Sequence, residues 1–292
     1  MNTLDTDSET FATLFEVGPR DGLQSLKQPI PTAQKIDLIN ALSKTGLRKI
    51  EATSFVNANW VPQLADGPAV MAAIERASTV AYAGLTPNLR GVRSAVQSRC
   101  DEIAVFISAS EGFSRANINC SVKDSLEAVA EALAFAACHA IPARGYISCV
   151  TDCPFDGPTP PATVARLAER LIALGCYQIS LGDTLGSATP EKIEAVLRAL
   201  APVVPVVRLA GHFHDTHGLA LDSIDCALDF GIRTFDASVA GLGGCPYAPG
   251  ASGNVNTRTV VEHLHNRGFE TGIDLDALKE AEQIAMKMTD AA

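Results

Sequence analysis

Eight short apolar segments alternating with helical patterns limit this chain more than any other feature. The segments are 14–17, 49–54, 80–85, 103–108, 144–149, 178–181, 206–212 and 234–239. Short apolar runs of this kind read as strands buried on both faces. Between them, apolar residues recur at helical spacing: Leu126, Val129 and Leu133; Val164, Leu167, Leu171 and Leu174; Leu221, Ile224 and Leu228. Pro31-Thr32, Ser121 and Thr159-Pro160 suit helix starts, and Gly46, Gly175 and Gly231 suit helix ends. Eight βα units in succession predict a parallel sheet of the α/β class, whose closed form is the (β/α)8, or TIM, barrel. The alternative, an open doubly wound sheet, favours a GxGxxG turn after the first strand. Here that turn reads GPRDGLQ. A further helical pattern at about 274–289 predicts an additional C-terminal helix outside a barrel of about 13–270, with 1–292 as a single catalytic domain.

Hydrophobic residues make up 47% of the chain but aromatics only 5%, so the core must be drawn mostly from Ala, Val, Leu and Ile. The net charge of -10, with no run of Lys or Arg, argues against a nucleic-acid partner. An anionic substrate then has to be held by a few placed cations or a metal. The first residues, MNTLDTDSET, lack the features of a signal or transit peptide, and no apolar run approaches the ~18 residues that span a bilayer. The expectation is a cytoplasmic protein with no membrane partner. There the eight cysteines read as thiols, most of them small buried hydrophobes. Cys149 and Cys153, four apart, are a weak zinc pattern without partners.

In a barrel, reacting groups gather at the C-terminal strand ends. Arg20 and Asp21 follow the first segment, Glu51 and Ser54 lie on the second, and Asp183 follows the sixth. HFHD closes the seventh, and the eighth opens into VAGLGGCPYAPGASGN, which carries Cys245 and ends at Asn254. His212 and His214 are two apart, so on a strand both imidazoles share a face. With Asp21 and Asn254 at other strand ends they form a mixed nitrogen and oxygen donor set, harder than the thiolate-rich sets that select zinc. Mg²⁺ or Mn²⁺ fits such a set, with positions left for substrate oxygens. Arg20 is a permanent cation able to hydrogen-bond an enolate or thioester oxygen. Glu51 and Asp183 suit ligand holding, proton transfer or plain buried ion pairing. His139, His217, His263 and His265 have no such context and read as surface or packing residues.

The stretches FEVGPRDGLQ, IEATSF, TPNLRG, NINCS, RGYISC, ISLGDTLG, GHFHDT and SVAGLGGCPYAPGASGN together resemble the hydroxymethylglutaryl-CoA lyase family, from about Thr13 to about Leu278. The glycine-rich stretch is specific to that family. RDGLQ and HxH are shared with metal-dependent aldolases, Claisen synthases and biotin-linked carboxyltransferases. The resemblance implies a divalent-metal-dependent, homodimeric barrel that takes an acyl-CoA. It would cleave 3-hydroxy-3-methylglutaryl-CoA to acetyl-CoA and acetoacetate by a retro-Claisen reaction. By motif it implies Asp21, His212, His214 and Asn254 as metal ligands, Arg20 as stabiliser of the acetyl-CoA enolate, and Cys245 as proton donor on a mobile lid. Asp21 or His212 would be the base for the C3 hydroxyl, and Glu51 and Asp183 match acidic site positions. Arg20, Gln24 and Lys27 match substrate contacts, Lys27 near the entrance where CoA phosphates pass.

A lid thiol suits that chemistry. Closure excludes water, and a thiol with a pKa near ~8.5 stays protonated at neutral pH. After Asn254 the family reads small–Thr–Glu, whereas this chain has Asn256 and Arg258. That departure leaves room for a related 3-hydroxyacyl-CoA as substrate, such as citramalyl-CoA or a branched glutaryl-CoA. A Claisen-type synthase and a non-enzymatic acyl-CoA-binding barrel are the more distant readings. Arg258 is predicted in the first turn of a helix, where a cation is disfavoured without a partner. It is expected to meet a carboxylate of the Arg20 network or to reshape the substrate end.

Overall fold

All eight apolar segments become strands of one parallel sheet. The computed structural model describes residues 10–26, 28–245 and 248–290, with the backbone alone for 244, 245, 248–252 and 290. The strands are β1 (Thr13–Glu16), β2 (Lys49–Ser54), β3 (Ala81–Leu85), β4 (Glu102–Ser108), β5 (Ala143–Ser148), β6 (Gln178–Asp183), β7 (Leu209–Phe213) and β8 (Thr234–Ala237). Each pairs in parallel with its neighbours in sequence, and β8 closes on β1 with Thr234 opposite Thr13 and Ala237 opposite Glu16. Closure excludes the open sheet and places all strand C-termini at one mouth.

Around the sheet lie α1 (Thr32–Leu42), α2 (Gly67–Ala73), α3 (Leu89–Gln97), α4 (Glu111–Ile118) and α5 (Val122–Cys138). They are followed by α6 (Pro161–Ala173), α7 (Pro190–Leu200), α8 (Ala220–Phe230), α9 (Thr257–Asn266) and α10 (Leu275–Asp290). The apolar stripes face inward: Val164, Leu167 and Leu171 of α6 and Ile224 and Leu228 of α8 are buried against the sheet. Truncating one such leucine to alanine costs ~2–5 kcal/mol. Ser121 caps α5 by accepting from the Asp124 N–H. Gly231 ends α8 at φ 107, in the left-handed region that favours glycine. The C-terminal helix α10 packs on α1 and buries Leu278, Ala281, Ala285 and Met288.

Seven of the eight strands begin or end one to three residues from the sequence reading, and two of those shifts have a clear cause. Pro205 opens a 3₁₀ turn at Val206–Arg208 that leaves Val207 79% exposed, so β7 starts at Leu209. β8 stops at Ala237 because the next amides leave the ladder. Ser238 N–H donates to Val255 O at 2.9 Å, and Val239 N–H donates to Glu16 Oε1 at 2.8 Å. The aliphatic core lies between sheet and helices, while the inside of the barrel mixes apolar side chains such as Phe15 and Leu85 with buried polar ones. Glu51, Arg144, Ser180 and Asp236 are all buried there. Among the described residues, four cysteines are buried, two are half-buried and Cys138 is exposed; all seven are free thiols. No helix among them is long and apolar enough to cross a membrane.

Candidate active site

The site begins where β1 ends. Val17 O accepts from the N–H groups of Arg20, Asp21 and Gly22, winding Gly18–Gly22 into a wide π-helical turn. That turn is pressed against the exit of β8. A Cβ on Gly22 would lie 2.6 Å from Leu242 Cβ and 2.9 Å from Ser238 Oγ, so the position has room only for glycine. Glu16 fastens the arrangement from below. Its Oε1 accepts from Gly18 N–H and Val239 N–H, each at 2.8 Å, and its Oε2 accepts from the Thr257 hydroxyl at 2.6 Å. Burial nonetheless pushes this carboxyl up to about 7, against the pull of those three donors.

The turn delivers Arg20 and Asp21 to the mouth. Arg20 Nε donates to Glu51 Oε2 at 2.5 Å, and Nη1 donates to Asp21 Oδ1. Burial opposes the guanidinium charge, but the two carboxylates outweigh it and hold the cation more firmly than usual. Burial raises Glu51 despite Arg20, and among the described residues its Oε1 is buried without a hydrogen-bond partner. Asp21 moves the other way: burial alone would raise it, but Arg20, His212, His214 and Asn254 hold it well below the usual carboxylate range.

β7 brings in the two imidazoles. The Nε2 atoms of His212 and His214 are 3.2 Å apart, and His212 Nε2 is 4.0 Å from Asp21 Oδ2. Asn254 arrives by a backbone bridge to His214, and its Nδ2 donates to Asp21 Oδ2 at 2.9 Å. Here too glycine is required: Gly243 has φ 111, and a Cβ on it would sit 2.7 Å from Asn254 Nδ2. Behind the imidazoles, His212 Nδ1 lies 3.0 Å from Asp236 Oδ2, and Arg144 Nη2 donates to Asp236 Oδ1 at 2.7 Å. Burial alone would lower His212, yet the bond and charge of Asp236 move it upward. Burial and the neighbouring His212 push His214 down to about 4.

Among the described residues, Asp21, His212 and His214 form the one group of three or more His, Cys, Asp and Glu side chains whose ligand atoms lie within 4.8 Å of one another. Two ring nitrogens and a carboxylate oxygen converge, and the Asn254 amide adjoins them. Electron-rich atoms gathered this closely suit a divalent cation that accepts nitrogen and oxygen donors.

The match to known proteins agrees with this geometry. Residues 12–285 match the family model described as HMGL-like. The chain belongs to the HMGL-like family. Hydroxymethylglutaryl-CoA lyase of Pseudomonas mevalonii is 50% identical over 267 residues, covering 91% of this chain and 89% of the relative. A Pseudomonas aeruginosa protein named 3-hydroxy-3-isohexenylglutaryl-CoA/hydroxy-methylglutaryl-CoA lyase is 52% identical over 270 residues, covering 92% and 90%. The crystal structure of the HMG-CoA lyase from Brucella melitensis superposes with a TM-score of 0.95 at 52% identity, covering 96% of this chain and 99% of that one.

In this HMGL-like barrel, Arg20, Asp21, Glu51, His212, His214 and Asn254 come together as the sequence reading expected. Asp183 sits at the same mouth but faces its own loop. Its Oδ2 accepts from Ala188 N–H at 2.9 Å, and burial raises its pKa. Gln24 is exposed just past the turn. Lys27 and the Cys245 side chain lie outside the described residues; the backbone of Gly244–Cys245 pairs antiparallel with Ala248–Ser252. The expectation for Arg258 needs correction. It turns away from Arg20 and grips α10, with Nε 2.8 Å from Glu282 Oε1 and Nη2 2.7 Å from Glu282 Oε2. Asn256 is the N-cap of α9, its side chain accepting from Arg258 N–H and Thr259 N–H. The Cys149–Cys153 pair finds no metal partners among the described residues.

Sequence reasoning missed Glu16, Arg144, Tyr146 and Asp236. Glu16, Arg144 and Asp236 are each the one charged residue of their strand, and the Tyr146 ring lies 5.8 Å from that of His212. Arg144 and Tyr146 also stand two apart, the spacing that had marked His212 and His214.

Proposed function

We propose that this chain cleaves 3-hydroxy-3-methylglutaryl-CoA to acetyl-CoA and acetoacetate. One observation carries the reading: the Asp21–His212–His214 cluster stands beside a guanidinium fixed by two carboxylates. Asp21, His212, His214 and the Asn254 amide oxygen would hold the divalent ion, Mg²⁺ or Mn²⁺. When bound, it supplies Lewis acidity that makes the C3 hydroxyl of the substrate easier to deprotonate. Asp21, 4.0 Å from His212, would accept that proton, because His212 presents N–H at Nδ1 to Asp236 and commits Nε2 to the ion. As C2–C3 breaks, negative charge develops on the thioester oxygen. Arg20 meets it with Nη2, because Nε and Nη1 are already committed to Glu51 and Asp21. A donor fixed in advance needs no reorganisation when the charge appears. The Cys245 thiol then protonates the enolate carbon. A cytoplasmic homodimer without a nucleic-acid partner completes the reading, in keeping with a net charge of -10 and the free thiols.

The test is a Mg²⁺- or Mn²⁺-supplemented assay on a panel of 3-hydroxyacyl thioesters. Acetyl-CoA and acetoacetate are expected in equal amounts from 3-hydroxy-3-methylglutaryl-CoA. A second reading, a lyase for longer branched 3-hydroxyglutaryl-CoAs, is favoured by the name of the Pseudomonas aeruginosa relative. It replaces the first if a branched thioester is cleaved with the higher kcat/KM. Absence of cleavage across the panel rejects both.

A further inference from the structure

Among the described residues, Arg144 is the largest side chain that the barrel buries completely. A guanidinium removed from water is costly unless its donors are met. Here Nε donates to Gln178 Oε1 at 3.0 Å, Nη1 to the Tyr146 hydroxyl at 2.9 Å, and Nη2 to Asp236 Oδ1 at 2.7 Å. The other oxygen of that carboxylate, Oδ2, faces His212 Nδ1 at 3.0 Å and accepts from the Ser180 hydroxyl at 3.0 Å. A hydrogen-bonded chain therefore runs from Gln178 through Arg144 and Asp236 to His212, joining β5, β6, β8 and β7. It ends at His212 Nε2, the atom aimed at His214 and Asp21.

A carboxylate paired with a guanidinium only accepts hydrogen bonds, so His212 must present N–H at Nδ1 and keep its lone pair on Nε2. We propose that Arg144 is a positioning residue for the metal centre: by fixing Asp236, it fixes the tautomer and ring orientation of His212. The inference rests on the metal-ligand reading above. A second buried network near the start of the strands separates this role from plain stability. Lys49 Nζ lies 2.6 Å from Glu102 Oε2, and the Tyr177 hydroxyl donates to the same oxygen at 2.9 Å. That network makes no hydrogen bond to Asp236 or His212.

Two measurements test the proposal: ¹⁵N NMR of the imidazoles in metal-free protein, and Mn²⁺ titration by calorimetry. The wild type should show His212 protonated at Nδ1 and bind Mn²⁺. In Asp236→Asn a single amide oxygen cannot serve both Arg144 and His212. The proton should shift to Nε2, and Mn²⁺ affinity should fall about 10–100-fold. Arg144→Lys, which loses the forked geometry, should also weaken Mn²⁺ binding and mix the tautomers. If that variant does not fold, Gln178→Leu frees Arg144 Nε without touching Asp236 and should weaken binding at least about threefold. Glu102→Gln should leave both readouts unchanged. A wild type that binds no Mn²⁺ overturns the metal reading and this inference with it. A wild type that binds, matched in tautomer and affinity by the Arg144 or Gln178 variant, overturns this inference alone, whatever Asp236→Asn does.

Discussion

Replacing Glu16 with glutamine should change how stability depends on pH, by an amount the structure allows to be worked out. Glu16 is fully buried beneath the Arg20–Asp21 turn, and burial carries its pKa from the ordinary 4.5 to about 7. Below pH 4.5 the carboxyl is protonated in both folded and unfolded chains and has no effect on the balance. Between pH 4.5 and 7 the unfolded chain releases the proton while the folded chain keeps it, so stability falls as pH rises. Above about 7 the loss is complete. At ~1.4 kcal/mol per tenfold, the gap between 4.5 and about 7 amounts to about 3 kcal/mol. Glutamine keeps an oxygen for the Gly18 and Val239 amides and offers its NH₂ to the Thr257 hydroxyl, so it fits the same space without titrating. Urea unfolding of wild type and Glu16→Gln at pH 4.5, 6 and 8 should show the variant gaining on the wild type by about 3 kcal/mol across that range. A difference between the two proteins that stays constant from pH 4.5 to 8 would refute the reasoning.

Cys245→Ala should lower kcat by ~10²–10⁴ and leave Mn²⁺ affinity unchanged; turnover above about a third of wild type, measured by acetoacetate release, excludes the acid role. Arg20→Gln should lower kcat by ~10²–10³ through loss of a charged donor to the thioester oxygen; an effect confined to KM contradicts that role. Arg258→Glu combined with Asn256→Ala should leave the ratio of kcat/KM values between two thioesters unchanged, because Arg258 grips Glu282. Losing that two-pronged pair, whose side chains are 25% and 11% exposed, should cost about 1–2 kcal/mol and lower Tm by about 2–3 °C. A tenfold change in the ratio would place Arg258 at the substrate after all.

The strands and the paired imidazoles were legible because both are local patterns. A buried parallel strand needs a continuous apolar run, and His212 and His214 announce a shared face by spacing alone. What was not legible depends on partners far along the chain. Arg144 and Asp236 are 92 residues apart, and Glu16 meets Thr257 across 241. Arg144, Asp236 and Glu16 are each the one charged residue of a short strand until closure of the barrel brings a partner within reach. The same holds for the end of β8, where an amide leaves the ladder for Glu16. Arg258 illustrates a sound rule with an unforeseen partner. A cation in a helix's first turn did need a carboxylate, but α10 supplied it rather than the site.

Stoichiometric cleavage of 3-hydroxy-3-methylglutaryl-CoA by chelator-stripped protein, followed as Mg²⁺ or Mn²⁺ is titrated back, tests the central claim most directly. The account predicts negligible turnover in the stripped protein and saturable recovery of equal acetyl-CoA and acetoacetate, abolished in His212→Ala. Full turnover without a divalent ion, or none at saturating Mg²⁺ and Mn²⁺, would contradict it.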